Sequence, residues 1–303
     1  MAALSEDLAL ALELAEVADA ITLERFRAAD LAVETKPDLT PVSEADTAVE
    51  RMLRSRLSAV RPGDAIVGEE FGSSAGVGAS AAGAAASAAG AAASAAGAGA
   101  SGAAGAESSG PAGAAAASGR RWIVDPIDGT KNYVRGIPVW ATLLALQEGG
   151  SGMVGVVSAP ALGRRWWAAR GAGAFMTDGL SGEPRPLRVS AVRALEDAQL
   201  CVSGFDGWED SPGGLERLLA LARGCWRTRG FGDFWIYMLV AEGVAEIGCE
   251  PAVSLWDLAA PQVIVEEAGG RFTDLGGVPS AEGGDALATN GLLHEEALAL
   301  VGR

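Results

Sequence analysis

The run Asp125-Pro126-Ile127-Asp128-Gly129-Thr130 places two carboxylates three positions apart, directly after the apolar residues Trp122-Ile123-Val124. Proline stiffens the turn, so both carboxylates and the Ile127 carbonyl can converge on a small volume. Gly129 allows close backbone approach, and Thr130 offers an N–H and a hydroxyl at a helix start. Hard oxygen ligands beside an anion-friendly helix N-terminus suit Mg²⁺ and a phosphate held together.

Further acids sit at the ends of expected elements. Glu69-Glu70 follows the strand Ala65-Ile66-Val67, Asp46 falls in the first turn of a helix, and Asp257 opens a helix after Leu255-Trp256. Taken singly, each also has a structural reading, because acids favour turns and helix N-termini. The Asp125–Thr130 string is much harder to read as structural.

The elements that must position these acids alternate along the chain. Ser5 reads as the cap of a first helix, with Leu8, Leu12, Ala15, Ala18 and Ile21 at helical spacing. A second helix starts near Ser43 and buries Val49, Met52, Leu53 and Leu57. Strands are expected at Trp122–Val124, Thr142–Leu146, Met153–Ser158, Trp166–Ala169, Val244–Cys249 and Arg271–Thr273. Helices are expected at Leu215–Ala222, Phe234–Glu242 and Trp256–Ala268. Such alternation favours a layered, mixed α/β or α+β architecture. It divides into an N-terminal half, 1–180, carrying the metal site, and a C-terminal half, 181–303, completing it. Residues 73–119 differ in kind. Ser80-Ala81-Ala82-Gly83-Ala84-Ala85-Ala86 is repeated from Ser87, with no large apolar seam. This segment reads as a disordered low-complexity insertion.

Composition excludes several classes. A net charge of −16 and the absence of basic clusters argue against nucleic acid. Three widely spaced cysteines, Cys201, Cys225 and Cys249, suit structural thiols better than a disulfide framework or a zinc site. The single histidine, His294, reads as a surface or capping residue, which disfavours a Ser-His-Asp or Cys-His nucleophile. No basic leader or membrane-length apolar run is present, so the cytoplasm is the expected location.

Gly68-Glu69-Glu70, Asp125 through Thr130, and Trp256-Asp257 with Glu266-Glu267-Ala268-Gly269-Gly270 together resemble the inositol monophosphatase family of lithium-sensitive, Mg²⁺-dependent phosphatases. The resemblance covers the chain outside 73–119. It implies a five-layered αβαβα fold, a homodimer and a small phosphate-ester substrate. By resemblance, Glu69, Asp125 and the Ile127 carbonyl bind a first Mg²⁺, and Asp125, Asp128 and Asp257 a second. Glu69 helps hold a third ion through water. Thr130 and Asp46 orient and deprotonate the attacking water, and the Gly129 and Thr130 N–H groups hold the phosphate.

Three further stretches resemble the actinobacterial branch of that family that acts on L-histidinol phosphate. They are Lys36–Val42, Ser158–Trp167 and Gly230-Phe231-Gly232-Asp233-Phe234. The resemblance then implies hydrolysis to L-histidinol and phosphate, in histidine biosynthesis. An ammonium and an imidazole call for carboxylates in the substrate site, and Asp233 and Glu250 are the candidates. Arg229 is a candidate to contact the phosphate or anchor Asp233. Each of the three also has a reading as an ion pair or helix cap. Trp166-Trp167 reads as strand packing. Competing readings are an inositol-1-monophosphatase or related sugar or nucleotide phosphatase, a non-catalytic metal- or phosphate-binding relic, and an interaction scaffold built on the Ala/Gly/Ser segment. Lys131 stands where many relatives have a second threonine.

Overall fold

Alternation along single strands separates two apolar cores. Trp122 and Val124 join one buried cluster, and Ile123 between them joins another. The same division separates Ile66 from Val67, Leu144 from Leu143, and Val156 from Val157. A strand sends successive side chains to opposite faces, so these residues make a sheet covered on both sides.

The computed structural model describes residues 2–76, 119–179 and 182–303. Its larger sheet has eight strands in the order β10-β9-β8-β7-β6-β5-β3-β4. They are β3 (Ala65–Gly68), β4 (Gly72–Ser74), β5 (Arg120–Asp128), β6 (Ala141–Glu148), β7 (Ser151–Ala159), β8 (Arg164–Ala169), β9 (Gly173–Asp178) and β10 (Arg185–Pro186). Only β3 and β5 pair in parallel; the other neighbours are antiparallel. Helices α1 (Ala2–Arg25) and α2 (Glu44–Val60) cover one face. Two short strands, β1 (Val33–Thr35) and β2 (Pro41–Ser43), form a hairpin between them.

The other face packs on α5 (Asp233–Ala241) and α6 (Leu255–Glu267). Close approach needs glycine in β7, because a Cβ on Gly155 would lie 2.5 Å from the Ala260 carbonyl. Beyond these helices lies a second sheet, in the order β12-β11-β13-β15-β14. Its strands are β11 (Gln199–Val202), β12 (Arg227–Gly230), β13 (Ile247–Glu250), β14 (Arg271–Thr273) and β15 (Ala286–Thr289). Phe272, Ala286 and Ala288 face α5 and α6, while Leu200, Val202 and Leu287 face α4 (Gly214–Gly224) and α7 (His294–Val301). The layers therefore run helix, sheet, helix, sheet, helix, as expected.

Several expectations change in detail. Helix α1 starts at Ala2, so Ser5 lies inside it and caps nothing. Its buried residues are Asp7, Leu10, Ala11, Leu14, Ala15, Ala18 and Thr22; of the expected stripe, Ala15 and Ala18 are buried and Leu8, Leu12 and Ile21 pack half-buried on the same core. Asp7 is tolerated there because Arg61 and Arg120 both pair with it. Strand β13 begins at Ile247, since Gly243 at φ +72° turns the chain and leaves Val244 exposed. Ser73 and Ser74 belong to β4, paired antiparallel with Val67 and Ile66 of β3. The expected disorder of the Ala/Gly/Ser insertion otherwise falls outside the described residues. His294 is fully buried, its ring held between the Thr273 and Thr289 hydroxyls at 3.0 Å each. Two hydroxyl partners inside the protein replace the water that a surface site would have given it.

Candidate metal centre

Residues three apart on a regular strand point to opposite faces. Asp125 and Asp128 escape this because the pairing of β5 with β6 slips between them. Asp125 faces Leu143 and Asp128 faces Ala141, so three steps on one strand match two on the other. The extra residue is a bulge that re-aims the second carboxylate. The Thr142 hydroxyl pins it by donating to the Pro126 carbonyl at 2.8 Å.

Asp257 arrives from α6. It is the third residue after the cap Ser254, whose N–H donates to Asp257 Oδ2 at 2.7 Å. Oxygen atoms of Asp125, Asp128 and Asp257 lie within 4.8 Å of one another. Burial pushes the Asp125 carboxyl well above its ordinary range, and the charges of Glu69, Asp128, Asp257 and Asp46 push it further. Burial and the nearby charges of Asp233 and Asp257 do the same to Asp128. Burial raises Asp257 to about 7, against the stabilising Ser254 N–H. Asp125 Oδ1 is buried without a hydrogen-bond partner. An orphaned carboxylate oxygen among converging acids is costly on its own and fits a divalent cation with oxygen ligands.

Glu69 stands beside this cluster at the end of β3, with its carboxylate turned to Lys36. Lys36 Nζ donates to Glu69 Oε1 and Glu70 Oε1, both at 2.7 Å. Burial opposes the lysine charge, but the two glutamates outweigh it and raise the ammonium. Burial likewise raises Glu70 to about 7.

Asp46 is held in the same manner as Asp257. Ser43 caps α2, and its N–H donates to Asp46 Oδ2 at 2.8 Å. The other oxygen, Oδ1, lies 3.2 Å from the Thr130 hydroxyl, which also reaches the Ile127 carbonyl at 2.9 Å. Burial raises the Asp46 carboxyl. Thr130 opens the short helix α3 (Thr130–Val134), with Gly129 before it at φ +83°. A Cβ at Gly129 would lie 2.9 Å from the Val139 carbonyl and 3.4 Å from Asp233 Oδ2. Glycine therefore serves both the turn and the approach of Asp233.

Asp233 begins α5 at φ +52°, an uncommon conformation for a residue with a side chain. Asn132 Nδ2 donates to Asp233 Oδ2 at 2.7 Å, and the next backbone N–H, of Phe234, donates to Asp128 Oδ2 at 2.6 Å. Burial raises Asp233 to about 6, while Lys131 and Asn132 oppose that. Lys131 itself is exposed. Glu250 ends β13 and accepts from the Ser203 hydroxyl and from the Tyr237 hydroxyl, the latter at 2.6 Å. Burial raises it to about 7. Arg229 is exposed and donates to the Thr228 carbonyl, so Asn132 and not Arg229 holds Asp233. A cavity of about 200 Å³ joins Asp128, Asp233, Phe234, Tyr237, Glu250, Ala252, Val253 and Asp257.

Sequence reasoning passed over Lys36, Asn132, Ser203 and Tyr237 as site residues. Lys36 and Asn132 lay inside quoted or adjoining motifs. Ser203 and Tyr237 carried no local signal, because only the fold brings them to Glu250. Trp166 is core, as read, with its indole N–H on Glu242 at 2.9 Å, and Trp167 stacks on Phe175. Cys201 and Cys249 are buried free thiols, and Cys225 is half-buried. Among the described residues no helix is long and apolar enough to cross a membrane.

The sequence model of the inositol monophosphatase family matches residues 3–302. A histidinol-phosphatase of Streptomyces coelicolor is 49% identical over 297 residues, covering 97% of this chain and 96% of that protein. A histidinol-phosphatase of Mycobacterium tuberculosis is 50% identical over 294 residues, again covering 97% and 96%. Among solved structures, an IMPase of Thermotoga maritima superposes with a TM-score of 0.72 at 26% identity, covering 98% of this chain and 96% of its own. With the acids converged and the layers in place, the chain belongs to the inositol monophosphatase family.

Proposed function

We propose that the chain is a Mg²⁺-dependent phosphomonoesterase that hydrolyses L-histidinol phosphate to L-histidinol and phosphate. One observation carries the choice of ester. Among the described residues, every charged side chain lining the cavity is a carboxylate: Asp128, Asp233, Glu250 and Asp257. Asp128 and Asp257 belong to the metal cluster, which leaves Asp233 and Glu250 for the organic half of the substrate. An ammonium and an imidazole complement that pair. A neutral polyol such as inositol can donate hydrogen bonds to that pair but offers it no opposite charge. The two histidinol-phosphatase relatives, at 49% and 50% identity, support the same ester.

Mg²⁺, two or three ions held by Glu69, Asp125, the Ile127 carbonyl, Asp128 and Asp257, would supply Lewis acidity toward the phosphate and lower the pKa of a water. The chain's own groups do the rest. The Thr130 hydroxyl, fixed between Asp46 Oδ1 and the Ile127 carbonyl, orients the attacking water. Asp46 takes up the proton relayed through that hydroxyl, a task suited to its raised affinity for protons. The Gly129 and Thr130 amides hold the phosphate. Asp233 and Glu250 hold the departing alcohol in line.

Phosphate release from L-histidinol phosphate and myo-inositol 1-phosphate, each with and without Mg²⁺, tests the proposal. Release should require Mg²⁺ and be at least about tenfold more efficient with the histidinol ester, a difference of roughly 1.4 kcal/mol. Equal or better turnover of the inositol ester would overturn the substrate assignment. Metal-independent turnover would overturn the mechanism.

A further inference from the structure

Glu50 is a fully buried carboxylate outside the acid cluster. It projects from α2 toward the turn that joins β3 to β4, the turn that contains Glu69. Glu50 Oε2 accepts from the Glu70 N–H at 2.7 Å, and Oε1 accepts from the Phe71 N–H at 3.2 Å. Arg54, one helical turn further on, donates to Glu50 Oε1 at 2.7 Å and, through its other arm, to the Gly72 carbonyl. Two consecutive amides and a carbonyl of one turn are thus held by a single i,i+4 pair. A Cβ on Gly68 would lie 2.1 Å from Glu50 Oε1 and 2.9 Å from an Arg54 guanidinium nitrogen, so the strand end leaves room for this pair.

Asp46, Glu50 and Arg54 lie four residues apart and share one stripe of α2. That stripe sends Asp46 to Thr130 and Glu50 to the Glu69 turn. One rigid helix therefore sets the distance between the proton acceptor and the backbone of Glu69. Both Glu50 oxygens are taken by the turn and by Arg54, so Glu50 is no ligand itself. We infer that Glu50 is a positioning residue: it fixes the β3–β4 turn so that Glu69 meets the metal in place of Lys36. The inference rests on Glu69 being a metal ligand, as proposed above. Outer groups that orient ligands typically change metal affinity by about 10–100-fold when removed.

The test is a Mn²⁺ titration by electron paramagnetic resonance on the full-length protein. It compares wild type, Glu69→Gln, Glu50→Gln and Gly68→Ala, each with a thermal melt. The last two disturb the same carboxylate from opposite sides. Both should weaken Mn²⁺ binding about tenfold and raise the Mg²⁺ needed for half-maximal turnover to match. The KM for L-histidinol phosphate at saturating Mg²⁺ should stay within about twofold, a split that a general loss of structure would not give. Unchanged Mn²⁺ binding in either folded variant overturns the inference. A Glu69→Gln protein that binds Mn²⁺ like wild type removes the ligand role of Glu69, and the inference with it. Should both variants fail to fold, hydrogen exchange of the wild-type turn decides. Slow exchange of the Glu70 and Phe71 amides without metal is expected, and exchange as fast as an open loop overturns the assignment.

Discussion

Asp46 and Asp257 occupy the same place in two unrelated helices. Each is the third residue of its helix, and each accepts the N–H of a capping serine, Ser43 at 2.8 Å and Ser254 at 2.7 Å. The cap uses one carboxylate oxygen, Oδ2, and leaves the other for the site. Stability and chemistry are therefore divided between the two oxygens of one side chain. Asp257→Asn keeps an oxygen for the Ser254 N–H and removes the charge. It should fold with a Tm close to wild type and lose at least about a hundredfold in Mg²⁺-dependent kcat, roughly 2.7 kcal/mol. Ser254→Ala should do the reverse, costing about 1 kcal/mol of stability while retaining most activity. Paired melts and phosphate-release rates check both. An Asp257→Asn protein with near-wild-type turnover would remove Asp257 from the metal site.

Asn132 ties the phosphate side of the site to the recognition side. Its amide nitrogen donates to Asp233 Oδ2 at 2.7 Å and to the Val139 carbonyl at 2.9 Å. Asn132 lies on α3, two residues after Thr130, and Asp233 opens α5. Removing the amide frees a carboxylate whose backbone is already in an unfavourable conformation, φ +52°. Asn132→Ala should raise the KM for L-histidinol phosphate about tenfold, near 1.4 kcal/mol, with a smaller change in kcat. Efficiency with myo-inositol 1-phosphate should change less, because Asp233 offers a neutral ring no charge pairing. Equal losses on both esters would assign Asn132 to general support of the α3 turn.

The acids of the site were legible because each carries a local signature. Asp125 and Asp128 flank a proline directly after an apolar run, read as a turn although β5 continues through both, and Asp46 and Asp257 sit in helix first turns. The layer order was legible through strand and helix alternation. What escaped was set by long-range contact. Glu50 lies four residues from Asp46 and looks like one more solvated helix acid, until β3 delivers the amides of Glu70 and Phe71 to it. His294, near the chain end and followed by two acids, gives no sign of the two threonine hydroxyls that β14 and β15 place on either side. The bulge in β5 was equally hidden, because pairing with Leu143 and Ala141 creates it. Arg229 was attractive by charge and by nearness in sequence to Asp233, yet strand direction turns it to solvent.

Stability without metal should depend on pH through two opposed groups. Burial raises Asp257, Glu250 and Glu70 to about 7, above the range of an unfolded carboxyl. The folded chain then binds more protons than the unfolded one, so this contribution is complete below about pH 4 and is lost as pH rises through about 7. His294 acts the other way. Burial lowers it to about 4 from 6.5, so the unfolded chain binds the extra proton. Its contribution is complete above about pH 6.5 and fades as pH falls toward 4. Metal-free protein should therefore melt at progressively lower temperature from pH 6 to pH 8. Added Mg²⁺ should offset the Asp257 share of that limb, because binding requires that carboxylate without its proton. His294→Gln should lower the Tm at pH 7 and steepen the rise in Tm as pH falls from 6.5 to 4.5, because the opposing histidine contribution is gone. Calorimetric melts of wild type and variant, with chelator and with Mg²⁺, separate the two limbs. A metal-free Tm that climbs from pH 6 to pH 8 would mean that the clustered acids are already ionised in the folded chain.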